Sequence, residues 1–119
     1  MSKYFTKEEL SCQHCGEYSF DTDFLALLDL IREECDFPFI VTSAYRCEKH
    51  PIEARKARLG EHTTGKAIDI AVDHEKALKL LSVALSRGIK RIGIQQKGSG
   101  RFIHLGVSED FPSPALWSY

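Results

Sequence analysis

The stretch that most constrains the fold is Gly60-Glu61-His62-Thr63-Thr64-Gly65-Lys66-Ala67-Ile68-Asp69-Ile70, a glycine-bounded turn that runs into a short apolar strand. Alternate side chains of a strand point to opposite faces, so Ala67, Asp69 and Ala71 share one face and Ile68, Ile70 and Val72 the other. With the isoleucines on the core, Asp69 stands among small residues on a face open to ligand or solvent. A second segment, Arg101-Phe102-Ile103-His104-Leu105, has the same parity: Ile103, Leu105 and Val107 face one way, and Phe102, His104 and Gly106 the other. If the two strands are neighbours in one sheet, His62, Asp69 and His104 converge on a point.

Two histidines and an aspartate, with a fourth position left to water, form the donor set of a catalytic zinc site. Spacing alone does not decide the matter, because a turn histidine and a capping aspartate give the same pattern.

A chain of 119 residues suits one domain spanning 1–119, with a modest core. Sixteen basic against seventeen acidic residues leave a net charge of -1, so no global field draws the chain to nucleic acid or membrane. The basic cluster Lys49, Arg55, Lys56 and Arg58 alternates with Glu48 and Glu53 and reads as a solvated helix face. No apolar run approaches the ~20 residues of a membrane span, and the N-terminus lacks the layout of a signal peptide. The expectation is a soluble monomer, cytoplasmic before release. Without a secretion signal, Cys12, Cys15, Cys35 and Cys47 are expected as reduced thiols. Cys12-Gln13-His14-Cys15-Gly16 reads as half of a structural zinc site completed by Cys35, Cys47 or His14, or else as small buried hydrophobes or one local disulfide.

Thr6-x-x-Glu9 is a capping box, so a short helix should start at Thr6. Asp21 or Thr22 should cap a longer helix ending near Cys35, with Phe24, Leu27, Leu28 and Ile31 on its core face. Residues 39–43 have the β-branched content of a buried strand and deliver Ala44-Tyr45-Arg46. A helix over 52–59 stopped by Gly60, and one over 74–87 capped by Asp73 with Ala77, Leu80, Leu81 and Ala84 on one stripe, should follow. Residues 91–95 and 101–105 read as a hairpin about the turn 96–100. The tail 111–119 reads as irregular, anchored by its aromatics. The class is therefore α+β, a small and mostly antiparallel sheet with helices packed on it.

The chain resembles the M15 zinc peptidases, the D-Ala-D-Ala carboxypeptidase and L-alanyl-D-glutamate endopeptidase group that includes many phage endolysins. The likeness rests on Phe5-Thr6-x-x-Glu9-Leu10 with Cys12 and Cys15-Gly16, Val41 to Arg46, His62-x-x-Gly65-x-Ala67-x-Asp69-Ile70, Arg91-Ile92-Gly93-Ile94 and Phe102-Ile103-His104, in that order. It implies a hedgehog/DD-peptidase-like fold, zinc held by His62, Asp69 and His104, and an Arg46 that binds substrate carboxylate or developing negative charge. The implied substrate is the peptidoglycan stem peptide, cut by metal-activated water. Three positions depart from the family pattern. Gly60 replaces a common serine, and Arg101 and Gly106 stand where relatives carry an acid beside the last histidine. Glu61 and Gln96 are the substitutes the sequence offers for the general base, which stays unassigned. The alternative is a catalytically weak or inactive zinc-bearing module, cell-wall-binding or structural.

Overall fold

Two amphipathic helices and a twisted sheet enclose one apolar core in the computed structural model, which describes residues 2–119. Helix α1 (Lys7–Leu10) opens with the full capping box: Thr6 Oγ1 accepts from Glu9 N, and the Glu9 carboxylate accepts from Thr6 N. Helix α2 (Thr22–Cys35) is capped by Asp21, which accepts from Phe24 N at 2.8 Å, and it ends at Asp36 in the left-handed region. Its buried residues Phe24, Leu28, Ile31 and Cys35 recur at helical spacing, so one stripe faces the sheet.

Strands β1 (Ile40–Ser43), β2 (Ala67–Ala71), β3 (Arg91–Gln95), β4 (Phe102–Gly106) and β5 (Ala115–Ser118) form one sheet in the order β1-β2-β4-β3-β5. Only the β3–β5 pair is parallel. Ile68, Ile70, Ile103 and Leu105 point to the helical side and are buried with Leu28, Ile31 and Leu80. Burial of each such side chain stabilises by about 1.5–3 kcal/mol. The opposite face carries the polar groups. One rung crosses all five strands there: Ser43, Asp69, His104, Gly93 and Trp117 are successive cross-strand partners.

Four local expectations are corrected. The predicted buried strand at 39–43 forms as β1 but lies at the sheet edge, with Ile40 65 % exposed, because it pairs with β2 alone. The predicted helix over 52–59 is a single turn, α3 (Pro51–Ala54). Beyond it the chain folds back so that Gly60 N donates to the buried Glu53 carboxylate at 2.7 Å, which a continuous helix would prevent. Helix α4 (His74–Ser86) starts where expected, but the Asp73 side chain makes no capping bond and lies 3.5 Å from the His74 ring instead. Val83 joins its core stripe, with Leu81 only partly covered. The tail is not irregular. Residues 115–118 complete the sheet because β3 would otherwise leave its backbone donors and acceptors unpaired. Among the described residues no helix is long and apolar enough to cross a membrane.

Candidate metal centre

The turn before β2 is a 3-10 turn, Glu61–Thr64, closed by Gly65 at φ 73. A Cβ at Gly65 would lie 2.0 Å from the Ser19 carbonyl oxygen, so both the backbone conformation and the space require glycine there. This turn swings His62 over the open face of the sheet, beside the directly paired Asp69 and His104. All three are buried.

His62 Nδ1 lies 2.6 Å from the Ala44 carbonyl oxygen. A carbonyl only accepts, so Nδ1 donates to it and Nε2 is the nitrogen turned toward Asp69. That Nε2 is 3.2 Å from Asp69 Oδ1. His104 is oriented from behind in the same way, with Nε2 donating to Glu61 Oε1 at 2.9 Å and Nδ1 facing Asp69 Oδ1 at 2.9 Å. The two rings stand edge to face with centroids 4.9 Å apart. One donor atom from each of His62, Asp69 and His104 thus falls within 4.8 Å of the others. A tetrahedral ion with bonds of ~2.0–2.1 Å has ligand edges of roughly 3.3 Å, so this set has the right size and donor type for zinc. Hydrogen-bond acceptors behind both imidazoles select the tautomer that leaves a lone pair toward the cation.

The charges agree with this geometry. Burial by itself would raise the Asp69 carboxyl, but the two imidazoles outweigh it and hold Asp69 well below the usual carboxylate range. Burial by itself would lower His104, yet Asp69 and Glu61 raise it above its ordinary 6.5. Without metal, a proton on His104 Nδ1 sits where a cation would.

Glu61 is held on three sides. Its Oε2 accepts from Ser108 N at 3.0 Å and lies 3.0 Å from Arg91 Nε, off the N–H direction, so the second contact is ionic. Burial pushes its carboxyl up, but His104, the Ser108 N–H and Arg91 together bring it below the usual value. A Cβ at Gly106 would lie 2.2–2.4 Å from this carboxylate. Glu61 therefore fills the volume that a side chain at 106 would take. Gln96 stands elsewhere, bonding its amide to the carbonyls of Val72, Gln95 and Phe102 across the hairpin base.

Arg46 reaches the cleft from the end of β1. Its Nη1 donates to Glu53 Oε2 at 3.0 Å, its Nε to Ser43 Oγ at 3.0 Å, and its Nη2 is 3.9 Å from Asp69 Oδ2. Glu53, itself buried, also accepts from Lys56 at 3.1 Å. The cleft of about 390 Å³ over the centre is walled by Arg46, Lys56, Phe102, Trp117 and Tyr119. Trp117 reaches it because Gly93, between it and His104 on the rung, has no side chain, and the indole lies 5.2 Å from the His104 ring. A larger apolar groove of about 550 Å³ between α4 and β5 is remote from these groups and carries no donor set. Sequence reasoning missed Glu53, Arg91 and Trp117 as site residues. The expected solvated face of the basic cluster fails at Glu53, which is buried as the partner of Arg46 and Lys56; an arginine opening a strand motif and the lone tryptophan were the available signals for the other two.

A sheet that presents two oriented imidazoles and a carboxylate under an open cleft has the donor set of a protein that can hold a metal ion. The chain matches the family described as Peptidase M15 over residues 3–106, and it belongs to that family, which is zinc-dependent in general. No curated protein and no solved structure matches it.

Proposed function

We propose that this chain is a zinc peptidase that cleaves peptidoglycan stem peptides, as a D,D-carboxypeptidase or an endopeptidase. The observation that carries the reading is the pair of imidazoles whose rear nitrogens donate to Ala44 O and Glu61, leaving His62 Nε2 and His104 Nδ1 to share a cation with Asp69. When bound, zinc supplies a Lewis acid that polarises a carbonyl and lowers the pKa of water.

The protein's own groups supply the rest. Arg46 and Lys56 offer cationic donors on one side of the cleft, suited to the carboxylates of a stem peptide and to an oxyanion. Glu53 and Ser43 fix the direction of Arg46, so its guanidinium is held before substrate arrives. Phe102, Trp117 and Tyr119 add aromatic surface to the lining of the cleft. Burial raises the Tyr119 phenol, so it stays a neutral donor. Glu61 acts as a positioning residue for His104, not as the base.

A second reading, a wall-binding module with little turnover, is favoured by one observation. The carboxylates lining the cleft are Asp69, a metal ligand, and Glu61, already engaged by three partners. A missing general base lowers rate by ~10²–10⁴-fold.

Digestion of purified sacculi, with mass spectrometry of released amino acids and new amino termini, distinguishes the two. Release by the zinc-loaded protein that disappears in His104→Ala supports the peptidase. Wall pulldown without any release, beside an active control enzyme, supports the module and removes the peptidase.

A further inference from the structure

The four cysteines take no part in the centre described above, yet three of them meet. Cys12, Cys15 and Cys47 offer sulfur atoms within 4.8 Å of one another, and all are free thiols. Cys47 arrives from the loop after β1, 35 positions from Cys12. Residues 12–17 form a tight knuckle, in which Gly16 N donates to Cys12 O at 2.7 Å and Cys12 N to Glu17 O at 2.8 Å. Gly16 at φ 76 allows the chain to turn there.

This knuckle aims backbone donors at one sulfur. Cys47 N donates to Cys12 Sγ at 3.3 Å, and the N–H groups of Cys15 and His14 act on the same atom. A sulfur in a nest of N–H groups is prepared as a thiolate, the form that binds metal. An inert apolar cysteine has no such donors; burial pushes Cys35, the last residue of α2, up to about 11.

We propose that Cys12, Cys15 and Cys47 hold a second, structural metal ion of the zinc class, with the fourth position open to the imidazole of His14, which lies outside the thiol cluster and would swing in on binding. With zinc–sulfur bonds of ~2.3 Å, a tetrahedral site has sulfur–sulfur edges of roughly 3.8 Å, which suits this triad. His14 borders the same cleft as Cys15 and Cys47, and its ring stands edge-on to His50, centroids 6.1 Å apart. His50 Nδ1 accepts from Ile52 N at 3.1 Å, so its Nε2 carries the proton and His14 is the imidazole left free to ligate. Metal entry displaces the thiol protons to solvent.

The site would clamp residues 12–15 to the loop 44–47, and that loop serves the first centre. Ala44 O orients His62, Arg46 N donates to His62 O at 3.2 Å, and Arg46 is adjacent to Cys47. The clamp thus holds the ligand His62 and the cleft arginine in register.

Cobalt reconstitution of the full chain under reductant tests the proposal. Thiolate ligation gives intense near-ultraviolet charge-transfer absorption, which a centre of two imidazoles and a carboxylate does not. The band should appear in the wild type and in His104→Ala, and be lost in Cys12→Ser and in Cys15→Ser, the latter at an exposed position. In the zinc-loaded His104→Ala protein, the three thiols should resist a thiol reagent until a chelator is added, with release of one zinc equivalent. Freely reactive thiols without the band, or an oxidised cysteine pair found by mass spectrometry, would overturn the proposal.

Discussion

Replacing Glu61 with glutamine separates the two roles open to that carboxylate. Glutamine keeps the volume and one oxygen, so His104 Nε2 can still donate at the position now 2.9 Å away. The other oxygen becomes an amide nitrogen facing Ser108 N at 3.0 Å and Arg91 Nε at 3.0 Å, two donors or cations it cannot satisfy. The anion that makes His104 a better ligand is also gone. Loss of such a partner weakens metal affinity by ~10–100-fold, about 1.4–2.7 kcal/mol. Competition against a chromophoric chelator measures this directly, and rates on a stem peptide at saturating zinc should change little. A carboxylate supplied from the neighbouring strand should restore affinity. Gly106 is where a new Cβ meets Glu61, so the double variant Glu61→Gly with Gly106→Asp should bind zinc more tightly than Glu61→Gly alone. An unchanged zinc affinity with a rate fall of ~10²–10⁴-fold would mean that Glu61 is the base and that the positioning argument is wrong.

Three further outcomes follow from the same geometry. His104 titrates above 6.5, because Asp69 and Glu61 hold its proton, so protons compete with metal from higher pH than an ordinary imidazole would allow. Apparent zinc affinity, followed by chelator competition, should therefore begin to fall above pH ~6.5 and keep falling toward pH ~5. In the metal-free protein the same raised value favours the fold at low pH and is lost as pH rises through the folded-state pKa. The depressed Asp69 carboxyl acts in the opposite sense, favouring the fold above 3.8 and failing on acidification, so an apo melting curve against pH should pass through a maximum between the two. Arg46→Lys loses the fork that joins Glu53 and Ser43, and kcat/KM on stem peptides should drop by ~10²-fold or more with zinc content unchanged. Gly93→Ala would put a Cβ 2.4 Å from the Trp117 indole; expulsion of the ring should cost about 1–3 kcal/mol, read as a lower Tm, and raise tryptophan exposure to quenchers.

Much of this protein was legible without coordinates, and the reason is local periodicity. A strand alternates with period two, so Ile68 and Ile70 on one side place Asp69 on the other, and the same parity places His104 opposite Ile103 and Leu105. The capping box at Thr6 and the core stripe of α2 are likewise decided by neighbours three and four residues away. Tertiary structure alone decided the rest. Whether β2 and β4 pair in the register that puts Asp69 beside His104 depends on which edges are free and how the intervening loops close, and short-range pattern carries neither fact. The tail became a strand because β3 had an open edge, and the helix expected over 52–59 gave way because buried Glu53 drew Gly60, Arg46 and Lys56 around its charge. The acid missing from position 106 is matched in space by one from position 61, since what a buried imidazole requires is a carboxylate at hydrogen-bond distance and not a residue at a fixed place in the chain.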